Sequence, residues 1–196
     1  MTKRLLAGLA LLAAALALGG CAHPISIAPD IAGLKTEPAP TRIDKAAGFV
    51  ISDALAATEV ETPGGGGDRV KYQPYRDLEA GLYSVLSQQF ASVTKLQSPS
   101  DPKVAAQGIQ RVVVPTVKTD SSSSSMLTWP PTYFKVELSC QILDGAGKPL
   151  GQVAVVGEGR AEFDEFKKEL GLSARRASED ALRKLARALA DLAALR

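Results

Sequence analysis

The sequence predicts an α+β domain with two layers, an antiparallel sheet and two amphipathic helices packed on one face, in the order β-α-β-β-β-α. Two long segments carry apolar residues at helical spacing, the segment between them alternates apolar and polar residues, and Gly- and Pro-rich breaks separate the elements. We expect this single domain to span 46–196, after a leader over 1–20 and a tether over 21–45.

The first element is the leader. Lys3 and Arg4 precede an uncharged apolar run, Leu5 to Leu18, which is shorter than the roughly 20 residues that span a bilayer as a helix. A short positive start, an apolar run of this length and small residues at its end are typical of a secretory signal peptide. The opening therefore predicts an address that is removed, and not a membrane span.

The end of the leader, Leu18-Gly19-Gly20-Cys21, resembles a bacterial lipobox. The resemblance implies that Cys21 carries a diacylglycerol on its thiol and an acyl chain on its new amino group after cleavage, and several acyl chains anchor a protein stably. Ala22 stands where Asp favours the inner membrane, so the resemblance implies a lipid anchor in the outer membrane, on the periplasmic face. The choice between the two membranes depends on Ala22 alone.

The tether is expected from four prolines and few large apolar residues over 22–45, and at about 3.3 Å per residue it could reach roughly 80 Å. The alternation of Ile25 and Ile27 leaves a second possibility, a short strand laid on the edge of the domain. The first strand of the domain is then predicted at "GFVISD", 48–53.

A glycine-rich loop, 62–68, and Pro74 precede a predicted amphipathic helix over 74–94, whose apolar spacing includes Phe90 and Val93. Three strands follow: "RVVVPTV" at 111–117, with Pro115 indicating an edge or a bulge, "FKVELSCQI" at 134–142, and a return strand that places Phe163 on its apolar face. A final helix is predicted from Ser173, with an apolar stripe at Leu182, Leu185, Leu189 and Leu192.

Composition excludes several kinds of function. Lys3 and Arg4 are the only charged residues of the leader, so 23 basic and 21 acidic residues become 21 of each in the mature chain, and no basic field is left to bind nucleic acid. His23 is the only histidine, and Cys140 is the only thiol besides Cys21. We therefore predict no histidine-based catalytic site, no metal, no cofactor and no disulfide.

The motifs that suggest chemistry lack their required partners. The four glycines at 64–67 are followed by Asp68-Arg69 and not by the Lys-Ser/Thr of a phosphate-binding loop. Ser92-Val93-Thr94-Lys95 matches S-x-x-K, but the chain has neither S-D-N nor K-T-G. The acidic residues over 158–169 are interleaved with basic ones, which favours a charge-paired surface over a carboxylate pair for catalysis.

The lipobox, "ISIAPDI", "YRDLEAGLYSVLSQQF", the turn "ILDGAGKPLG" and the final amphipathic helix resemble, in the same order, the YajG-type bacterial lipoproteins. The serine-rich segment "TDSSSSSMLTWPP" departs from that pattern. The resemblance implies Cys21 as the one functional position, since no reaction is established for that family.

That departing segment holds the other candidate site. Five serines, 121–125, predict a mobile stretch, and Met126, Leu127 and the only tryptophan, Trp129, follow it. Exposed Met and Trp residues are typical of protein interfaces and membrane surfaces. Two interpretations stay open: these three residues contact a partner or a membrane, or Trp129 folds back onto the sheet as a lid.

These observations favour a membrane-anchored lipoprotein of the cell envelope that is not an enzyme and that binds a protein or another envelope component. Two alternatives remain, an accessory lipoprotein subunit of an envelope transport or assembly machine and, less favoured, an enzyme that acts on peptidoglycan or lipid.

Overall fold

A computed structural model of the chain describes residues 22–35, 42–192 and 195. Cys21 and the leader lie outside the described residues. We label the strands β1 to β8 and the α-helices α1 to α5, and a 3-10 turn covers Ala32–Leu34. The strands are β1 (Ala22–Pro24), β2 (Ile43–Val50), β3 (Val60–Pro63), β4 (Arg69–Tyr72), β5 (Phe90–Leu96), β6 (Arg111–Ser122), β7 (Tyr133–Asp144) and β8 (Pro149–Arg160). The helices are α1 (Asp53–Ala56), α2 (Pro74–Gln89), α3 (Lys103–Ala106), α4 (Phe163–Phe166) and α5 (Leu172–Asp191).

The predicted α+β class is confirmed, and the main sheet is more complex than the sequence suggested. Five strands lie in the order β5-β2-β6-β7-β8. The β6–β7–β8 half is antiparallel as predicted, whereas β2 pairs in parallel with both β5 and β6, so the whole sheet is mixed. A second sheet, β1-β4-β3, accompanies it. Helices α2 and α5 pack against each other over the main sheet.

Strand β7 shows the predicted alternation most clearly. Its inward side chains are buried, and they are Phe134, Val136, Leu138, Cys140 and Ile142. Next to it, the ladder between β2 and β6 ends at Val113. Pro115 therefore lies beyond the part of β6 that pairs with β2. This position is expected for proline, which has no N–H to donate, at a strand edge.

The first long helix is shorter than predicted. Helix α2 ends at Gln89, and the predicted residues Phe90 and Val93 belong to strand β5. Phe90 is buried in strand β5, and the predicted helix also placed it on the apolar face. Its four-residue spacing from Leu86 therefore continues the helical pattern by coincidence. The segment 90–96 pairs in parallel with β2, and this long-range pairing overrides the local periodicity.

Helix α5 lies directly on the backbone of β8. A Cβ atom added at Gly157 would collide with the backbone at Ala177 and Ala181, and one at Gly159 would collide with the backbone at Ser173 and Ala177. The two glycines therefore set how closely the helix approaches the sheet. The predicted stripe residues Leu182, Leu185 and Leu189 fill the core from this position. Ser173, the predicted N-cap, lies inside α5, which begins at Leu172. It is buried there, and its Oγ donates to the Pro131 carbonyl at 2.7 Å.

Residues 22–35 form part of the fold and not the expected tether. Strand β1 pairs in parallel with β4, which corresponds to the alternative of a short edge strand. Ile27 and Leu34 are buried in the main core. The buried carboxylate of Asp77 accepts hydrogen bonds from the Ile27 N–H at 2.9 Å and the Ser26 hydroxyl at 3.3 Å. The segment is thus held by apolar burial and by a carboxylate on α2.

We predict that Gly157→Ala destabilises the protein by about 1–3 kcal/mol, because its new methyl group must displace helix backbone and not a flexible side chain. Gly151→Ala is the matched control on the same strand. Its Cβ would lie 3.6 Å from Leu192, an ordinary contact, so we expect a change within about 0.5 kcal/mol. Urea denaturation measures both, and equal stabilities for the two variants would contradict the close approach of α5.

Candidate functional site

The first candidate site surrounds the start of the described chain. Cys21 itself is not described, but Ala22, its covalent neighbour, opposes Arg69 in the β1–β4 ladder. The His23 ring stacks on the Trp129 ring, with centroids 4.2 Å apart and planes 14° from parallel. The Nε2 atom of His23 lies 3.4 Å from the Asp68 carboxylate. The segment next to the predicted lipidation site therefore touches the predicted contact loop.

The serine-rich loop is anchored at both ends. Ser121 and Ser122, expected to be mobile, are the last residues of β6, and buried Ser121 donates from its Oγ to the Pro63 carbonyl at 2.6 Å. At the other end, the Gly65 N–H donates to the Trp129 carbonyl at 2.9 Å. Gly65 leaves no room for a side chain against the backbone of Thr128. Gly64 and Gly65 thus pack directly against the backbone of this loop.

The three predicted contact residues separate into two groups. Met126 and Leu127 project into solvent, with 87% and 95% of their surface exposed. Trp129 is partly buried and packs against the main core. Trp129 thus folds back onto the core, as in the lid interpretation, whereas Met126 and Leu127 are free to contact a partner or a membrane. Whether they contact anything stays a prediction.

Helix α4 and the residues that follow it add two exposed apolar residues beside this loop. Phe163, predicted to face inward, is 52% exposed, because the chain leaves β8 at Arg160 and turns into α4, which buries Phe166 instead. Leu170 is 45% exposed. A shallow depression of about 250 Å³ is shared by Leu127, Trp129, Phe163 and Leu170. We call the four exposed residues Met126, Leu127, Phe163 and Leu170 the anchor-side patch.

Ion pairs hold α4 in place. Glu165 closes a capping box with Glu162, and its carboxylate accepts from the Arg176 guanidinium at 2.8 Å. The hydrogen bond from Arg176, followed by the backbone bond to Glu162, lowers the pKa of Glu165 to about 2. Glu169 accepts two bonds from Arg175, at 2.7 and 2.8 Å. These acidic residues thus pair with arginines on α5, which agrees with the predicted charge-paired surface.

The second candidate site is a groove of about 840 Å³ beside α2, which we call the α2 groove. One face of α2 forms the wall of the groove. The sequence alone did not predict this groove. Its apolar lining consists of Ile31, Phe49, Ala80 and Tyr83. Its charged lining consists of Lys35, Arg42, Arg76, Lys95 and Glu79. Tyr83 is 50% exposed although it is aromatic.

The charges of the α2 groove are unevenly paired. Lys95 donates to the Glu79 carboxylate at 2.8 Å, and Arg76 lies 3.5 Å from the Asp77 carboxylate. Within the described part of the chain, no carboxylate makes an ion pair with Lys35 or Arg42. Among the described residues that line the groove, the positive charges of Lys35 and Arg42 are therefore not balanced by a paired carboxylate.

Other reactive groups are placed as follows. Cys140 is fully buried, and burial raises the pKa of its thiol to about 12. In residues 22–35, 42–192 and 195, no three His, Cys, Asp or Glu side chains come together as metal ligands. None of the helices in that same part of the chain is long and apolar enough to cross a bilayer.

No family model and no curated protein matches this sequence. Among solved structures, a Xanthomonas campestris protein described as DUF330 is 12% identical, with a TM-score of 0.46 over 86% of this chain and 89% of that one. A candidate lipoprotein from Caulobacter crescentus is 14% identical, with a TM-score of 0.38 over 82% and 92%. PelC from Paraburkholderia phytofirmans, described as a dodecamer, is 17% identical, with a TM-score of 0.41 over 77% and 94%. The YajG resemblance is not confirmed by these comparisons, and no family is assigned.

We predict that Trp129→Ala lowers the free energy of unfolding by about 2 kcal/mol, since a partly buried ring and its stacking partner are lost. His23→Ala should cost about 1 kcal/mol, and a double-mutant cycle should give a coupling of about 1 kcal/mol. Leu127→Ser is the control, with a change within about 0.5 kcal/mol because its side chain is already in solvent. Additive effects of the first two variants in urea denaturation would contradict the stacked contact.

Proposed function

We propose that this protein is a lipid-anchored lipoprotein of the bacterial cell envelope, held by Cys21 on the periplasmic face of the outer membrane. The leader with its Leu18-Gly19-Gly20-Cys21 end supports the anchor. We propose further that the domain acts by binding an envelope component and not by catalysis. The histidine is engaged in a stack, and the one thiol of the mature chain outside the anchor is sealed in the core, which supports this choice.

The single observation that carries the binding function is the α2 groove. Its volume lies within the range of small-molecule sites, about 300–1,000 Å³, and such sites combine an apolar lining with a few polar groups that orient the ligand. Here Ala80 and Tyr83 line the groove from α2, Arg76 lies towards the start of the helix, and Lys35 and Arg42 lie towards its end. This arrangement suits an acidic amphiphile, a molecule with an apolar part and an anionic group.

The helix gives the groove a direction. The groove wall extends from Arg76 to Gln88, which is about 18 Å along the helix axis at a rise of 1.5 Å per residue. Gln88 donates to the Leu34 carbonyl at 3.2 Å, so Lys35 lies at the far end of this wall. Arg42 precedes Ile43, which pairs with Phe90 at that same end. We assign the anionic group to Lys35 and Arg42 and the apolar part to Tyr83 and Ala80.

The anchor is tested by Cys21→Ser, which removes the thiol that would be acylated. We expect unprocessed precursor and loss of the protein from the outer-membrane fraction, measured by mass spectrometry and by density-gradient fractionation of membranes. Cys140→Ser is the control that leaves the lipobox intact. A Cys21→Ser variant that matures and still fractionates with the outer membrane would refute the lipoprotein assignment.

The groove is tested with the wild-type protein in phosphatidylcholine nanodiscs and dihexanoyl phosphatidic acid as the probe. Binding stabilises the native state, so the melting temperature should rise with the probe concentration. Lys35→Glu combined with Arg42→Glu should weaken the apparent affinity by about tenfold or more, since each charged contact contributes about 1 kcal/mol. Lys118→Glu combined with Lys148→Glu reverses two cations that do not line the groove, and this control should bind like the wild type.

A probe without net charge tests whether binding requires the anionic headgroup. Dihexanoyl phosphatidylcholine has the same chains and no net charge, so it should bind much more weakly than the acid. Equal shifts for both probes, or equal binding by both charge-reversed proteins, would refute the assignment of the α2 groove to an acidic amphiphile.

A further inference from the structure

We infer that the anchor-side patch rests on the same bilayer that holds Cys21, so that the domain lies with this face against its own membrane. The inference depends on the lipid anchor of the proposed function and does not depend on the α2 groove. It assigns one occupant, the lipid surface, to Met126, Leu127, Phe163 and Leu170.

The first step is the position of the anchor. Consecutive Cα atoms are about 3.8 Å apart, so Cys21 must lie next to Ala22 whatever its own conformation. Ala22 is fixed in the β1–β4 ladder, and the segment continues into the buried Ile27. No free linker therefore separates acyl chains on Cys21 from the folded domain. The membrane must approach the domain at the start of β1.

The second step joins the start of β1 to the patch. His23, one residue after Ala22, stacks on Trp129, and Leu127 lies two residues before Trp129. Adding these spans places Leu127 within roughly 25 Å of Ala22. The loop is held there by the bond from Gly65 to the Trp129 carbonyl. The loop is thus close enough to Cys21 for one lipid surface to reach both.

The third step concerns the chemistry of the patch. Met126 and Leu127 project almost fully, and Phe163 and Leu170 share one shallow depression with Leu127. Projecting apolar side chains suit the boundary between headgroups and acyl chains, into which such groups insert by several ångströms.

The charges near the patch predict how the contact responds to salt. Lys167 lies over the Phe163 ring, 4.8 Å from its centroid, and also pairs with Asp164 at 3.2 Å. Glu165 and Glu169 are paired with arginines of α5. Since the neighbouring charges are largely balanced, insertion should depend on apolar contact. It should change little between low and high ionic strength.

The orientation also predicts which part of the domain stays away from lipid. Strand β7 runs from Tyr133, beside the loop, to Asp144, which is about 36 Å along a strand. The turn between β7 and β8 contains exposed Lys148. This turn should face the aqueous space while the patch faces lipid.

The test uses full-length lipidated protein reconstituted in phosphatidylcholine vesicles. Leu127→Cys and, as the matched control, Lys148→Cys carry an environment-sensitive fluorophore on the new thiol. Cys140 does not compete for the label because its thiol is fully buried. Both positions are exposed, so neither substitution disturbs packing. Lipids with a spin label near the headgroup then quench whichever fluorophore lies at the surface.

We expect quenching at residue 127 to exceed that at residue 148 by about threefold or more, with little change in high salt. Equal, weak quenching at both positions in protein that floats with the vesicles would overturn the inference and leave the anchor intact. A fluorophore at 127 that is shielded from aqueous iodide but not quenched by the lipids would also overturn it, in favour of a protein contact. Protein that fails to float with the vesicles would instead refute the lipid anchor itself.

Discussion

The close approach of α5 to β8 is the contact on which most of the fold depends. Two glycines let the helix backbone lie on the strand backbone, and from that position α5 also contacts β7, α2, α4 and the 3-10 turn. Its Leu182 side chain meets α2 at Gly81, where Pro29 also packs. Pro29 belongs to residues 22–35, which we call the first segment. Its arginines hold α4 through Glu165 and the residues after α4 through Glu169. A shift of this one helix would therefore disturb the core, the first segment and the anchor-side patch together.

The use of residues 22–35 in the fold changes how far the protein can act. A free tether over 21–45 would reach roughly 80 Å, whereas a domain of this size is only about 40 Å across. Because Ile27, Leu34 and the bonds to Asp77 fix the segment, a lipid anchor at Cys21 would keep the domain at the membrane surface. Whatever occupies the α2 groove must then come to within one domain diameter of that membrane.

Much of this fold could be predicted from local periodicity, as β7 and the leucine stripe of α5 show. The failures have a common cause, since each concerns a contact between residues distant in sequence. Strand β5 was missed because Phe90 continues a helical spacing, and only its pairing with β2 makes it a strand. The first segment was taken for a linker because its partner, Asp77, lies 50 residues away. For the site, the exposed loop could be located from composition, but its neighbours on α4 and the α2 groove are created by tertiary packing.

The burial of Cys140 has a consequence for the maturation of the protein. In an oxidising compartment, which the proposed location implies, an accessible thiolate exchanges with disulfides. If Cys21 is acylated as proposed, Cys140 has no second thiol in the chain with which to form an internal bond. Strand β7 is flanked by β6 and β8, its nearest strands in sequence, which place Pro115 and Val153 opposite Cys140. Such local pairing forms early relative to long-range contacts. This order of strands would shorten the time for which the thiol is exposed during folding. In the folded protein, burial raises its pKa to about 12, which keeps it inert.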